Sequence, residues 1–388
     1  MFGLRRKAAV FAGATVVALA ATGAARATDE RVLYSFTGGN DGSGPSASLI
    51  MDTRGNLYGT TMTGGSANAG VVFKVTPRGR ETVLYSFTGG DDGGHPLAGL
   101  IMDAKGNLYG TASDHGAANG GVVFKLTRRG RQIVLHDFAG IDGFFPQADL
   151  VMDPNGNLYG ATFYGGTAGQ GAVFKVTSNG REAVRYSFTG GTDGGSPGAG
   201  LVMDADGNLY GTTESSDNRG VVFKVSPKGT ETVLHSFAGG ADDGAVPTAG
   251  LITDADGNLY GTTSKGGPNN AGVVFKLTPG GDRTVLYSFT GGNDGSGPSA
   301  PVIMDADHNL YGTTGFGGVG GDGVVFKLSP TGDETVLYSF TGGADGGNPA
   351  AGLIMDASGN LYGTTKAGGA NNAGVVFKVK NTAQPLHP

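Results

Sequence analysis

The sequence contains no cysteine among its 388 residues. No disulfide can therefore hold the fold, and a chain of this kind must be stabilised by its core or its topology. Basic clusters are also missing. Lysine and arginine number 27 against 33 acids, for a formal net charge of −6, which argues against nucleic acid or an anionic membrane surface as partner. After the first thirty residues no stretch is long and apolar enough to span a bilayer. No segment carries a helical period of useful length. The six histidines are scattered, and none forms a metal-ligand pair by its spacing in the sequence. Only His95 and His115 are placed to face the loop side described below.

The first residues have a pattern of their own. "MFGLRRK" is basic, "AAVFAGATVVALAATGAA" is small and apolar, and "ARA" at Ala25–Ala27 is a small-x-small cleavage site. This predicts a secretory signal peptide over residues 1–27, cleaved after Ala27. The leader holds Arg5, Arg6, Lys7 and Arg26 and no acid, so residues 28–388 are more acidic than the whole. The expected location is periplasmic or extracellular. The polar end "KNTAQPLHP" offers no anchor.

What the chain has in abundance is glycine, 76 residues in all, and the glycines are periodic. "NLYG" begins at Asn56, Asn107, Asn157, Asn208, Asn258, Asn309 and Asn360, always 50 or 51 residues apart. One unit, from Gly200, reads "GLVMDADGNLYGTTESSDNRGVVFKVSPKGTETVLHSF". It offers four strand candidates, "LVMD", "NLYGTT", "GVVFKV" and "ETVLHSF", with Gly, Pro, Asn and Asp at the junctions. Four antiparallel strands repeated seven times predict an all-β, seven-bladed β-propeller occupying residues 28–388 as a single domain. The unbroken apolar character of the first and third strands fits blades that are packed on both faces.

With strands lettered a to d from the axis outward, the chain opens on a lone d strand at Val32–Phe36. It ends on a, b and c of the seventh unit, at Leu353, Asn360 and Gly374. Pairing the first strand with the last three closes the ring and hides its edges. The block Val32–Ala47 returns letter for letter at Val285–Ala300, so the opening strand is that of a full blade.

The repeat "DxxGNLYGTTxxGGxxxxGVVFKVTPxGxETVLYSFTGGxDGxxP" resembles the GloVer tandem repeat of exported bacterial "choice-of-anchor" proteins. The resemblance covers the whole of residues 28–388. It implies an exported repeat protein, often with a C-terminal sorting anchor that this chain lacks, and it carries no biochemical activity.

Strand alternation puts the b–c and d–a loops on one face and the short a–b and c–d turns on the other. A ligand is expected on the loop face or at the mouth of the central channel. Every d–a loop holds an Asp-Gly step, at Asp41, Asp92, Asp142, Asp193, Asp243, Asp294 and Asp345. These read as Asx-turns capping local backbone, with a carboxylate ring for a metal as the alternative. The "DADGN" turns, such as Asp204/Asp206, read as hairpin turns. The lysine of each "VVFKV", such as Lys74 or Lys224, reads as a stem packed along the blade.

Blades 2 to 4 depart from the consensus. The blade 2 b–c loop brings Asp114 and His115, and the d–a loop after it brings Phe144, Phe145, Gln147 and Asp149. Blade 3 adds Phe163, Tyr164 and Gln170; blade 4 adds Glu214, Asp217 and Arg219. Aromatics beside acids and amides suit stacking on a sugar ring with its hydroxyls hydrogen-bonded. "GGSPG" at Gly194–Gly198 lacks the strand–turn–helix elbow of a nucleophilic serine. "GVGGDG" at Gly318–Gly323 joins two strands, with no helix to hold a phosphate. The expectation is a monomeric binding or scaffold module without cofactor, its ligand a glycan or a surface protein. A carbohydrate-active lyase or lactonase-like hydrolase at the channel mouth, and a purely structural repeat protein, are the alternatives.

Overall fold

The computed structural model describes residues 30–214 and 219–381, and no helix occurs among them. The leader, Asp217 and the C-terminal tail lie outside the described residues. Seven four-stranded antiparallel sheets form the ring, one per repeat. Blade 3 is typical, with strands Val151–Met152, Leu158–Thr162, Ala172–Val176 and Glu182–Ser187. Strand a is shorter than its four-residue sequence pattern. Its apolar residues still pack, but the aspartate that follows already turns the chain.

The third strand is the centre of each blade. In blade 1, Val71, Val72, Phe73 and Val75 are all fully buried, as expected for a strand with a neighbouring blade on both faces. Each blade joins the next through an edge-to-face aromatic pair. These run from Phe36–Phe73, with centroids 5.0 Å apart, round to Phe340–Phe377, also 5.0 Å. Such a pair contributes about 0.5–1.5 kcal/mol beyond the area it buries. The glycine of "LYG" is what lets the ring in. A methyl at Gly59 would lie 2.7 Å from Phe73 Cζ and 2.8 Å from Leu49 Cδ2.

In five of the seven blades two threonines stitch the inner part. In blade 1, Thr60 donates to Ala98 O of the next blade at 3.0 Å, and Thr61 donates to Thr63 O of its own loop at 2.9 Å. Closure is as the sequence predicts. Glu30–Ser35 pairs with Val375–Val379, and that sheet contains Ile354–Met355 and Leu361–Thr365 as its other strands.

On the turn face each a–b turn is tied by one aspartate. Asp254 accepts from the N–H of Asp256 (3.0 Å) and Asn258 (2.8 Å), from Asn258 Nδ2 (2.7 Å) and from the Tyr260 hydroxyl (2.9 Å). Most strand-c lysines lie over the tyrosine ring across the sheet, as Lys125 does over Tyr109 at 5.2 Å. On the other face the b–c and d–a loops meet as expected, through bridges such as Ser43↔Thr63 and Phe144↔Tyr164.

Candidate functional site at the channel mouth

The axis of the ring opens into a cavity of about 330 Å³ lined by the Pro-x-Ala-x steps that lead into strand a. The last position of that step is glycine in four blades, at Gly99, Gly200, Gly250 and Gly352. Ser48 and Pro301 fill it in two more. In blade 3 it is Asp149, whose carboxylate reaches sideways to accept the Gly99 N–H at 2.5 Å. Burial pushes the Asp149 carboxyl up, and this one backbone bond opposes the shift.

Above Asp149 three further side chains converge. A methyl at Gly198 would lie 2.8 Å from Gln147 Nε2, 2.8 Å from Glu214 Oε1 and 3.2 Å from Phe163 Cδ2. Gly198 thus lets an amide, a carboxyl and an aromatic side chain close in on its backbone, with no room for a methyl between them. Loss of water around Glu214 raises its pKa to about 7. Phe163 and Glu214 hold equivalent positions, the third residue after the glycine of "LYG", and each is fixed by a backbone bond. Phe163 N–H donates to Phe145 O at 3.1 Å, and Glu214 N–H to Ser196 O at 3.2 Å.

The rim beside this group is aromatic. Phe144 and Tyr164 exchange backbone hydrogen bonds of 2.9 and 3.0 Å and are 36% and 49% exposed. Tyr164 stands edge-on to Phe163, with centroids 4.7 Å apart, and lies 6.4 Å from Phe145. The stitching is weakest around this sector. Thr111 Oγ1 of blade 2 is buried without a partner, and blade 3 has Ala161 at that position.

The other residues of the expected patch are elsewhere. Gln170 and Arg219 occupy the slot that is Ala69, Ala271 or Ala373 in blades 1, 5 and 7. They brace the neighbouring d–a loops. Gln170 packs against Gly190, and Arg219 packs on Gly239 and donates to Ala238 O at 2.5 Å. Asp114 and His115 form a separate group with His95, so these residues do not make one continuous patch. The Asp-Gly carboxylates are taken up by their own loops. Asp193 accepts from Tyr186 Oη (2.9 Å) and from Thr189 N–H (2.8 Å) and Oγ1 (2.6 Å), which holds it below the usual carboxylate range. His136 and His235 take the tyrosine's part towards Asp142 and Asp243. Each of these carboxylates does cap local backbone, but it accepts from the N–H of a residue three to five before it, as from Thr37 at Asp41 and Ala139 at Asp142, so the loops are not the expected Asx-turns.

Sequence reading passed over Lys366, exposed at the position of Phe163 in blade 7, and Phe316, 60% exposed at the position of Tyr164 in blade 6. Alignment of the units at those two positions is the signal that finds them.

The family described as the Gloeobacter/Verrucomicrobia repeat matches residues 1–218 and 204–387. No curated protein matches the sequence. Among solved structures, the extracellular domain of the two component system BT4673 of B. thetaiotaomicron superposes with a TM-score of 0.58 at 12% identity. That alignment covers 92% of this chain and 40% of the other, so the chain spans less than half of that protein. A gluconolactonase of Xanthomonas campestris aligns at a TM-score of 0.47 and 14% identity, over 91% of this chain and 89% of that one. These likenesses concern the fold alone.

Proposed function

Since the chain belongs to the Gloeobacter/Verrucomicrobia repeat family, a family of tandem repeats, we propose that it is an exported β-propeller binding module that holds a sugar unit at the mouth of its channel. The convergence of Gln147, Glu214 and Phe163 over Gly198 carries this reading. A pyranose ring presents an apolar face and a girdle of hydroxyls. Phe163 and Tyr164 supply stacking surface, while Gln147, Glu214 and Asp149 supply donors and acceptors for hydroxyls. Near neutral pH the Glu214 carboxyl exists in both forms, so it can donate to one hydroxyl or accept from another. The leader supports export.

The test is a calorimetric screen of the protein against oligosaccharides of bacterial and plant cell walls. The expected result is binding that Phe163→Ala and Gly198→Leu each weaken at least tenfold, the second by forcing Gln147, Glu214 and Phe163 apart. Binding unchanged in Gly198→Leu would remove the mouth as its site. A lyase or lactonase-like hydrolase would use the same two raised carboxyls, Asp149 and Glu214, as acid and base. It is separated from a binder by release of product.

A further inference from the structure

Outside the channel mouth, the loops of blade 2 bring two imidazoles and a carboxylate together. His95 Nδ1 lies 2.9 and 3.0 Å from the two oxygens of Asp114, and His115 Nδ1 lies 2.8 Å from Asp114 Oδ1. All three ligand atoms fall within 4.8 Å of one another. The rings are 5.5 Å apart, and the three side chains are between 28% and 38% exposed, so the group opens to solvent.

We propose that His95, Asp114 and His115 form a site for a divalent transition metal of the zinc type. Two neutral imidazole nitrogens and one carboxylate oxygen are the donor set of borderline ions such as Zn²⁺, Ni²⁺ and Cu²⁺. Ca²⁺ and Mg²⁺ would demand more oxygen. Three protein ligands leave a fourth position on the solvent side for water or an outside ligand. The Nδ1 atoms that now hydrogen-bond to Asp114 would turn their lone pairs to the ion, with each ring proton on Nε2.

The backbone supports this assignment. His115 stands at φ 59° in a position that is glycine in five other blades, among them Gly64 at φ 81° and Gly165 at φ 80°. His95, at φ 48°, shares its left-handed backbone with the equivalent Phe145, Ser196, Val246 and Asn348, so its conformation belongs to the loop and only that of His115 is particular to blade 2. A side chain on left-handed backbone is strained by about 1–3 kcal/mol, and such strain gathers at functional sites. The ligands are nonetheless held firmly. Gly94 N–H donates to Asp114 O at 3.0 Å, His95 N–H to Ala69 O at 2.8 Å, and Ser113 Oγ to His95 O at 2.6 Å. Blade 2 also carries Ala112 where most blades have the threonine that clips this loop. The second cluster, His136 with Asp142 and Glu182, differs. There the histidine does what tyrosine does in other blades, so the local structure accounts for it.

The test uses tag-free protein treated with EDTA and then titrated with ZnCl₂ and CaCl₂ by calorimetry. His115→Gly restores the residue of five other blades and should melt no lower than wild type in EDTA. The expected result is one zinc bound per chain, weakened at least tenfold by His115→Gly and by Asp114→Asn, with no response to calcium. Absence of zinc binding would overturn the proposal. So would zinc binding that survives both substitutions, since the ion would then lie elsewhere.

Discussion

On the turn face the same aspartate ties the a–b turn in every blade, always to the following asparagine and tyrosine, as at Asp52, Asp254 and Asp356. On the loop face the equivalent positions hold glycine, serine or alanine in some blades and Phe163, Glu214 or His115 in others. One backbone carries both. The turn aspartates answer the chain's own unpaired groups, so any change exposes a donor. The loop positions answer nothing in the fold, and their side chains are left to meet something else. Uniformity marks the parts that make the ring, and departure from it marks the parts that face outward.

Three experiments sharpen that contrast, the largest effect first. Phe223→Ala empties a fully buried position in the ladder between blades and should destabilise by about 3–5 kcal/mol. Phe163→Ala removes the same side chain from the loop face and should change stability far less, both read by denaturant unfolding. Equal losses would erase the distinction. Asp254→Ala strands the hydroxyl of buried Tyr260 together with the turn amides, and should lower stability by about 1–3 kcal/mol.

The smallest effect concerns pH. Glu30, Glu81, Glu182, Glu231 and Glu334 begin strand d in five blades, each with its Oε1 buried and unpaired. Burial first, and the nearby Asp345, Asp41, Asp142, Asp193 and Asp294 second, raise all five from 4.5 to about 7. Between those values the folded chain binds more protons than the unfolded one, so stability falls as pH rises through that window. The turn aspartates act oppositely. Asp52 is lowered to about 2 by its hydrogen bonds, so its contribution is lost only as pH falls below 3.8. The melting temperature should therefore be higher at pH 5 than at pH 8, and Glu81→Gln should narrow the gap. Two blades already avoid the conflict. Gln132 donates to Asp92 O at 3.2 Å, and Arg283 pairs with Asp243 at 3.4 Å. A flat profile from pH 5 to pH 8 would show these glutamates to be free of strain.

The architecture was readable because its causes are local and repeated. Alternation, glycine at each turn and a fixed interval specify strands, and the unmatched strand at the start specifies closure. Asp149, Gln147, Phe163 and Glu214 were readable as departures at aligned positions. Their meeting point was not, because it is set by an absence, the missing side chain of Gly198. The roles of Gln170 and Arg219 as braces were hidden because their slot is defined by a neighbouring loop. His95 and His115 looked unrelated in sequence, since the bridge between Gly94 and Asp114 is what brings their loops together.

The ladder that joins Glu30–Ser35 to Val375–Val379 repeats the others down to its irregularity, skipping Leu33 as blade 1 skips Leu84. The seam is therefore no different in kind from the continuous hairpins elsewhere in the ring. The order in which blades are written along the chain is separable from the order in which they sit around the axis. With Glu30 paired to Val379 at the seam, the described ring is suited to circular permutation. A linker across the seam and a cut in any c–d turn should define the same ring with another blade first.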